Sequence, residues 1–370
     1  MVGNVFKNIS TIIERDSKTT TYKYALLRGT IDIINENSPF ISHSNGRVSF
    51  PLGLLIEKWI LYYYPILESE TELPQINGNV NLAFGEMLKT IILAYKHQNG
   101  FSGFYNDLRN NGIPKEIQKD FIKLVVMLKT TIVKNPMRYI GRSVSDHYFS
   151  IYKYSKDKKG KAASKIDIDY LITTSGSVSI PEEYYDAFRI IGTFIGGQDS
   201  ILFKWAEFSV NASGKSLSVE KVIHETLRSP VSERDVVESK KFYESVLRSK
   251  GTVYCVWTGK RIPSYDIDHC IPFSVWRNND LWNLLPSNPK TNKIKRDKIP
   301  APDLVEKQKD LIIHYWQLLE NKLGERFRKE IRLALLGDLS SDNWELMGIN
   351  QLKIICHELI SNRGYEEWNP

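Results

Sequence analysis

The sequence predicts an α+β protein: a mainly helical N-terminal region with a few strands, then a small strand, loop and helix unit braced by flanking helices. Three observations predict it. Apolar residues recur at helical spacing through several segments of the first 135 residues, alternation with period two appears only in short runs, and residues 253–300 gather short apolar runs around an Asp-His pair. A chain of 370 residues is long enough for two or three domains with sizeable cores.

Taken in order, Leu55, Ile56, Trp59, Ile60 and Tyr63 form one apolar stripe of a helix that begins near Leu52. Segments 21–35, 82–96 and 116–134 show the same period, and Pro39, Pro51, Pro65 and Pro136 punctuate them. Between the first two helices, Ser44-Asn45-Gly46-Arg47 reads as a hairpin turn. Helix, hairpin and helix suit either a winged-helix-like part or an ordinary mixed core. Phe149-Ser150-Ile151-Tyr152-Lys153-Tyr154 and Ile166-Asp167-Ile168-Asp169-Tyr170-Leu171 alternate, which predicts a β-hairpin near 149–172 with Asp167 and Asp169 on its solvent face. The loop between them holds Lys153, Lys156, Lys158, Lys159, Lys161 and Lys165 against Asp157. Such a loop either tracks a nucleic-acid backbone or is a solvated turn.

Residues 1–210 are expected to form a recognition or sensing region, 211–230 a linker opening on Asn211-Ala212-Ser213-Gly214-Lys215-Ser216, and 231–370 a second domain. Ser232-Glu233-Arg234-Asp235 has a capping-box pattern that opens a helix running toward Arg248. After residue 300, Leu304, Leu311, Ile312, Tyr315 and Leu319 line a long helix, with a further helix from Asn350 to Leu359 packed on it. These helices would brace a unit too small to bury a core of its own.

The chemistry gathers at Tyr265-Asp266-Ile267-Asp268-His269-Cys270-Ile271-Pro272, at Leu281-Trp282-Asn283-Leu284-Leu285-Pro286 and at Thr291-Asn292-Lys293-Ile294-Lys295. Phosphodiester hydrolysis needs a base for water and a divalent cation for the charge that develops on phosphate. His269 suits the base and Asp268 a metal ligand. Adjacent strand residues face opposite ways, so the two can serve one phosphate only where the strand ends or bends, and Pro272 suits such an exit. Residues 288–298 read as a short helix from which Asn292 supplies a second oxygen.

Together with Tyr254-Cys255-Val256-Trp257-Thr258-Gly259-Lys260, this order resembles the HNH endonuclease family, whose ββα-metal module is a hairpin followed by a helix around one cation. The resemblance covers residues 253–300. It implies His269 as general base, Asn283 as the asparagine that braces the histidine-bearing loop, and Asp268 with Asn292 as metal ligands. The last signature position is often histidine in the family and is asparagine here, which favours Mg²⁺ or Mn²⁺ over Zn²⁺. Many relatives carry two Cys-x-x-Cys pairs; with Cys255, Cys270 and Cys356 in no such pair, no structural zinc is expected. Lys260, Lys295 and Lys298 are candidate nucleic-acid contacts, although a solvated helix face reads the same way.

Composition agrees with a polyanionic partner. The net charge is +7 and residues 251–300 hold eight Lys/Arg against four Asp/Glu. An odd number of cysteines, an N-terminus without a signal-peptide pattern and apolar runs shorter than the about 20 residues of a membrane span predict a soluble cytoplasmic protein. The resemblance implies hydrolysis of DNA, most simply double-stranded and by a homodimer, in bacterial restriction or phage defence. The alternatives are an effector subunit that needs partner proteins for activation, an RNA-cleaving toxin, and a catalytically inert DNA-binding protein.

Overall fold

A computed structural model describes residues 2–15, 19–69, 74–75, 82–141, 150–156, 165–193, 195–223, 234–276, 278–337 and 342–370. The chain divides into two compact units, Met1–Glu36 with Phe40–Pro230, and Val231–Pro370 with the short stretch Asn37–Pro39. Among the described residues no helix is long and apolar enough to cross a membrane.

The first unit runs α1 (Val2–Arg15), α2 (Tyr22–Asn35), β1 (Ser42–Ser44), β2 (Arg47–Pro51), α3 (Leu52–Glu68), α4 (Gly85–Tyr95), α5 (Gly100–Asn106), α6 (Lys115–Lys134) and α7 (Pro136–Tyr139). It continues with β3 (Lys153–Ser155), α8 (Ile168–Thr174), β4 (Ser177–Pro181), α9 (Glu182–Thr193), α10 (Ile195–Ala212) and α11 (Val219–Val222). Residues 211–223, expected to begin a linker, close α10 and form α11, which packs on α10 within this unit.

The stripe expected on α3 is a helix buried nearly all round, from Leu52 to Tyr64 with only Lys58 partly open, and it packs against α2, α4, α6 and α8. Contact with α8 is so close that a Cβ on Gly53 would lie 2.2 Å from the Leu171 carbonyl. Pro65 does not punctuate this helix but sits inside it. The helix continues one turn beyond, where buried Ile66 offsets the hydrogen bond that proline cannot make.

Asn45 and Gly46 both take positive φ, 50° and 67°, the conformation that a two-residue hairpin turn requires, and β1 pairs with β2 as expected. The hairpin is no free wing. Its second strand joins β4, and the four strands form an antiparallel sheet in the order β1-β2-β4-β3, with Val48, Phe50, Val178 and Ile180 buried.

The hairpin expected near 149–172 is not present in that form. β3 pairs with β4, Tyr154 opposite Val178, while the alternating run from Ile166 opens a helix. Asp167 caps α8, its side chain accepting the N–H groups of Asp169 and Tyr170 at 3.0 and 3.3 Å. Asp167 is therefore buried rather than on a strand's solvent face. An N-cap satisfies backbone donors that a short alternating strand would need a partner to satisfy, so the cap wins. Lys153 and Lys156 are exposed, Lys165 donates to the Asn110 carbonyl, and Phe149, Asp157, Lys158, Lys159 and Lys161 lie outside the described residues.

The second unit runs α12 (Val237–Lys250), β5 (Val253–Tyr254), β6 (Arg261–Ile262), β7 (Asp266–His269), α13 (Phe273–Trp276), β8 (Leu284–Ser287), α14 (Pro289–Lys295), β9 (Ile299–Pro300), α15 (Pro302–Lys307), α16 (Lys309–Leu323), α17 (Glu325–Ile331), α18 (Trp344–Ser361) and β10 (Glu367–Trp368). Ser232 and Glu233 of the expected capping box lie outside the described residues. The helix starts later, where Asp235 accepts the N–H of Val237 at 2.9 Å. The long helix expected after residue 300 is broken at Gln308 into α15 and α16, and α18 packs on both.

Trp282, Trp316, Leu319, Phe327 and Leu352 form the centre of this unit's core, all fully buried. Each such side chain contributes roughly 1.5–3 kcal/mol. The helices also hold the hairpin loop by name: Trp316 donates to the Trp282 carbonyl at 3.0 Å, Tyr243 to the Leu284 carbonyl at 3.2 Å, and Glu330 accepts the Leu281 N–H at 2.9 Å.

Candidate active site

β7 and β8 pair antiparallel with Asp268 opposite Leu285 and His269 opposite Leu284. The Cys270 N–H then donates to the Asn283 carbonyl at 2.7 Å and the pairing stops. Asn288 caps α14 by accepting the N–H groups of Lys290 and Thr291, with Pro289 in the first turn, where its missing N–H costs nothing. A hairpin followed directly by a short helix results, and Asp268 and His269 end its first strand.

Asn283 is fully buried and spans both backbone groups of Ile271: its Oδ1 accepts the N–H at 2.8 Å and its Nδ2 donates to the carbonyl at 3.0 Å. Nδ2 also reaches the Asn278 carbonyl at 3.4 Å. One side chain thus ties the residue two beyond His269 to the far end of the loop.

Asp268 is buried, 3 % exposed, between two donors. The indole Nε1 of Trp257 donates to Oδ2 at 2.6 Å and the Lys295 ammonium to Oδ1 at 3.2 Å. Burial pushes the Asp268 carboxyl upward, while Lys295, Trp257 and Arg234 pull it back. Lys295 is itself fully buried, donates to the His269 carbonyl at 2.7 Å and lies 5.5 Å from the centre of the Trp257 ring. This corrects the expectation that Lys295 contacts nucleic acid. A lysine at the end of α14 turns inward because the Asp268 carboxylate, taken out of water, needs a cation more than the surface does. Lys260 is exposed, and Lys298 is partly exposed and pairs with Glu366.

His269, also 3 % exposed, is held on both ring nitrogens. Arg234 donates from Nε to Nδ1 at 3.2 Å, and Nε2 faces the Asn279 side-chain oxygen at 3.1 Å. A guanidinium has nothing to accept with, so Nδ1 carries the lone pair and the proton of the neutral ring sits on Nε2, donated to Asn279. Burial pushes the imidazole down to about 4; Asn279 opposes this and the charges of Arg234 and Lys295 add to it. The ring is therefore neutral, the form a general base requires, at neutral pH.

That shift has a consequence for stability. The folded ring protonates near 4 and the unfolded one near 6.5. Between these values the unfolded chain binds the extra proton, so the contribution is complete above 6.5 and is lost as pH falls toward 4, by on the order of 3 kcal/mol. Urea unfolding of wild type and His269→Gln, followed through the second unit's tryptophans, checks it: the wild type should lose stability relative to the variant across that window. Parallel pH profiles would refute the assignment.

Asn292 is partly exposed and its side chain has no hydrogen-bond partner among the described residues. It precedes Lys295 by three positions on α14, hence on the same face as the residue that reaches Asp268. Among the described residues no group of three or more His, Cys, Asp or Glu side chains could hold a metal ion. The oxygen donors expected as ligands, the Asp268 carboxylate and the Asn292 amide oxygen, are of the type that suits Mg²⁺ or Mn²⁺, and both Asp268 oxygens already accept hydrogen bonds, from Trp257 and Lys295. Mg²⁺ keeps several waters and takes one or two carboxylates with substrate phosphate. Cys255, Cys270 and Cys356 are buried and free, and burial pushes Cys270 up to about 12.

Sequence reasoning missed three partners. Trp257 stood in the motif without a role, and the indole N–H it turns on Asp268 is visible only once the Val256 N–H, bonded to the Pro286 carbonyl at 2.9 Å, lays the turn after β5 against β8. Asn279 lay in an unremarked polar run, Asn278-Asn279-Asp280. Arg234 stands 35 residues before His269 and carries no local signal of its contact.

The HNH endonuclease family model matches residues 255–301, so an HNH domain stands near the C-terminus and points to a nuclease of that type, with nucleic acid as its partner. A second family model, described as a domain of unknown function (DUF8808), matches residues 3–227. Searches of curated proteins and of solved structures return no match.

Proposed function

From a chain that belongs to the family of the domain of unknown function DUF8808 and carries an HNH domain behind it, we propose a metal-dependent endonuclease that hydrolyses DNA phosphodiester bonds. One observation carries the reading. A buried, neutral His269 ends the first strand of the hairpin, directly beside the carboxylate of Asp268.

In this reading His269 takes the proton of the attacking water on Nδ1, and Asn279 holds the Nε2 proton so that Nδ1 is the nitrogen that keeps the lone pair. Asn283 keeps the strand exit in place, which fixes the ring relative to the phosphate. Asp268 and Asn292 would hold Mg²⁺ or Mn²⁺, which supplies neutralisation of charge on the phosphate and leaving oxygen. Burial raises the Asp268 carboxyl, and the Lys295 ammonium beside it is the largest influence pulling it back toward the ionised form. Lys260 and Lys298 are the candidate backbone contacts. A backbone-gripping module reads no sequence, so selection of sites falls to the N-terminal domain or to another protein. Restriction or phage defence in a bacterium is the setting this layout suits.

The test is incubation of the purified chain with supercoiled plasmid and, in parallel, with an RNA transcript, each with Mg²⁺, Mn²⁺ or EDTA. Metal-dependent cleavage of DNA with ligatable 5′-phosphate ends is expected. Cleavage of RNA alone would reassign the substrate, and an inert chain in every condition would sink the nuclease reading.

A further inference from the structure

Arg234 lies just before α12, exposed, with its guanidinium turned onto the base. Nε donates to His269 Nδ1 at 3.2 Å, and Nη2 donates to the Ile267 carbonyl at 2.7 Å. Next to it the Asp235 N–H donates to the same Asn279 oxygen that faces His269 Nε2, at 3.2 Å. Residues 234–235 thus close over both edges of the ring. A lone pair already accepting from a guanidinium cannot at the same moment take a proton from water, so the base is capped.

Among the described residues no carboxylate pins the cap. Among the described residues Arg234 forms no ion pair with a carboxylate, since Asp268 is neutralised by Lys295, and only two of its five N–H donors are used. An exposed guanidinium with N–H donors to spare among the described residues, beside a candidate hydrolytic base, is a site for an oxyanion. Two parallel charge-assisted bonds to an anionic phosphate exceed the two bonds they replace, one to a neutral ring nitrogen and one to a neutral carbonyl.

We propose that Arg234 is a phosphate-responsive cap on His269: a backbone phosphate of the bound strand draws the guanidinium off Nδ1, and the lone pair is released only where there is a phosphodiester to attack. This rests on the nuclease reading above and adds to it the residue that arms the base. Arg234 is a positioning residue; it neither gives nor takes a proton.

The test uses the full chain with ¹⁵N-labelled histidine in EDTA, with the His269 signals identified by their loss in His269→Gln. In the wild type the proton is expected on Nε2, with Nδ1 shifted upfield by the hydrogen bond it accepts. Arg234→Ala should move Nδ1 downfield to its free position, with Arg234→Lys between the two. A short DNA duplex, its binding followed separately by fluorescence anisotropy, should move the wild-type Nδ1 to the Arg234→Ala position and leave the variant's signal still. The slope of log affinity against log salt should also fall by about one in Arg234→Ala. Equal Nδ1 positions in wild type and Arg234→Ala without DNA would overturn the cap. A bound duplex that leaves the wild-type signal unmoved would overturn the release while the nuclease reading stands. A duplex that does not bind would overturn both.

Discussion

Replacing His269 with alanine is expected to lower DNA cleavage by about 100- to 10,000-fold, the range that loss of a positioned general base produces. The effect should fall on kcat, because the ring is buried and contributes little to holding the strand. The fold should survive. Among the described residues the His269 ring bonds to an exposed arginine and to Asn279, and Cys270, Ile271 and Asn283 hold the strand exit without it. Plasmid cleavage by wild type and variant at matched metal concentration, with circular dichroism as a control on folding, decides the matter. A variant that folds and cuts within tenfold of wild type removes His269 from the role of base.

Lys295→Met should give the largest loss of stability. Among the described residues its ammonium is the one cation paired with Asp268, and both side chains are almost wholly out of water, 0 % and 4 % exposed. Methionine fills the volume and leaves the carboxylate without its partner, and an uncompensated buried charge costs about 3–5 kcal/mol. The His269 carbonyl loses its donor as well. Adding Asp268→Asn to the variant removes the stranded charge while an amide still accepts from Trp257, so most of the loss should return. Native-state hydrogen exchange of the β7 and β8 amides reads this directly. If Lys295→Met exchanges like the wild type, the ion pair is not what holds the strand. If the double variant is no better than the single, the penalty lies in packing rather than charge.

These two residues also mark where reading the chain succeeds and where it stops. Asp268, His269, Asn283 and Asn292 were picked out because the family signature names them by order and spacing. The short helix that carries Asn292 was legible from the loss of alternation over 288–298, and the hairpin came with the family resemblance. The Asn45-Gly46 turn and the helices around 22–35, 52–68, 85–95 and 115–134 were legible for the same reason: period, caps and turn conformations are decided by residues within a few positions of one another. Ile166 to Leu171 misled because alternation and a helical face share positions over so short a run, and Asp167 as a cap settled it for helix.

What needed the folded chain was partnership across distance. Lys295 looks like any surface lysine at the end of a helix, and only the packing of α14 against β7 turns it onto Asp268, 27 residues away. Arg234 reaches His269 across 35 residues by the placement of the segment before α12. α3 shows one apolar stripe in its spacing, yet it is buried on nearly every side because four other helices pack on it. The order of residues was enough to specify the kind of site and its local scaffold, since backbone conformation responds to near neighbours. Which charges are paired, which nitrogen of His269 holds its proton and which lysine is withdrawn from solvent were decided by tertiary packing, because desolvation and hydrogen bonding act between groups that the fold, not the sequence, makes adjacent.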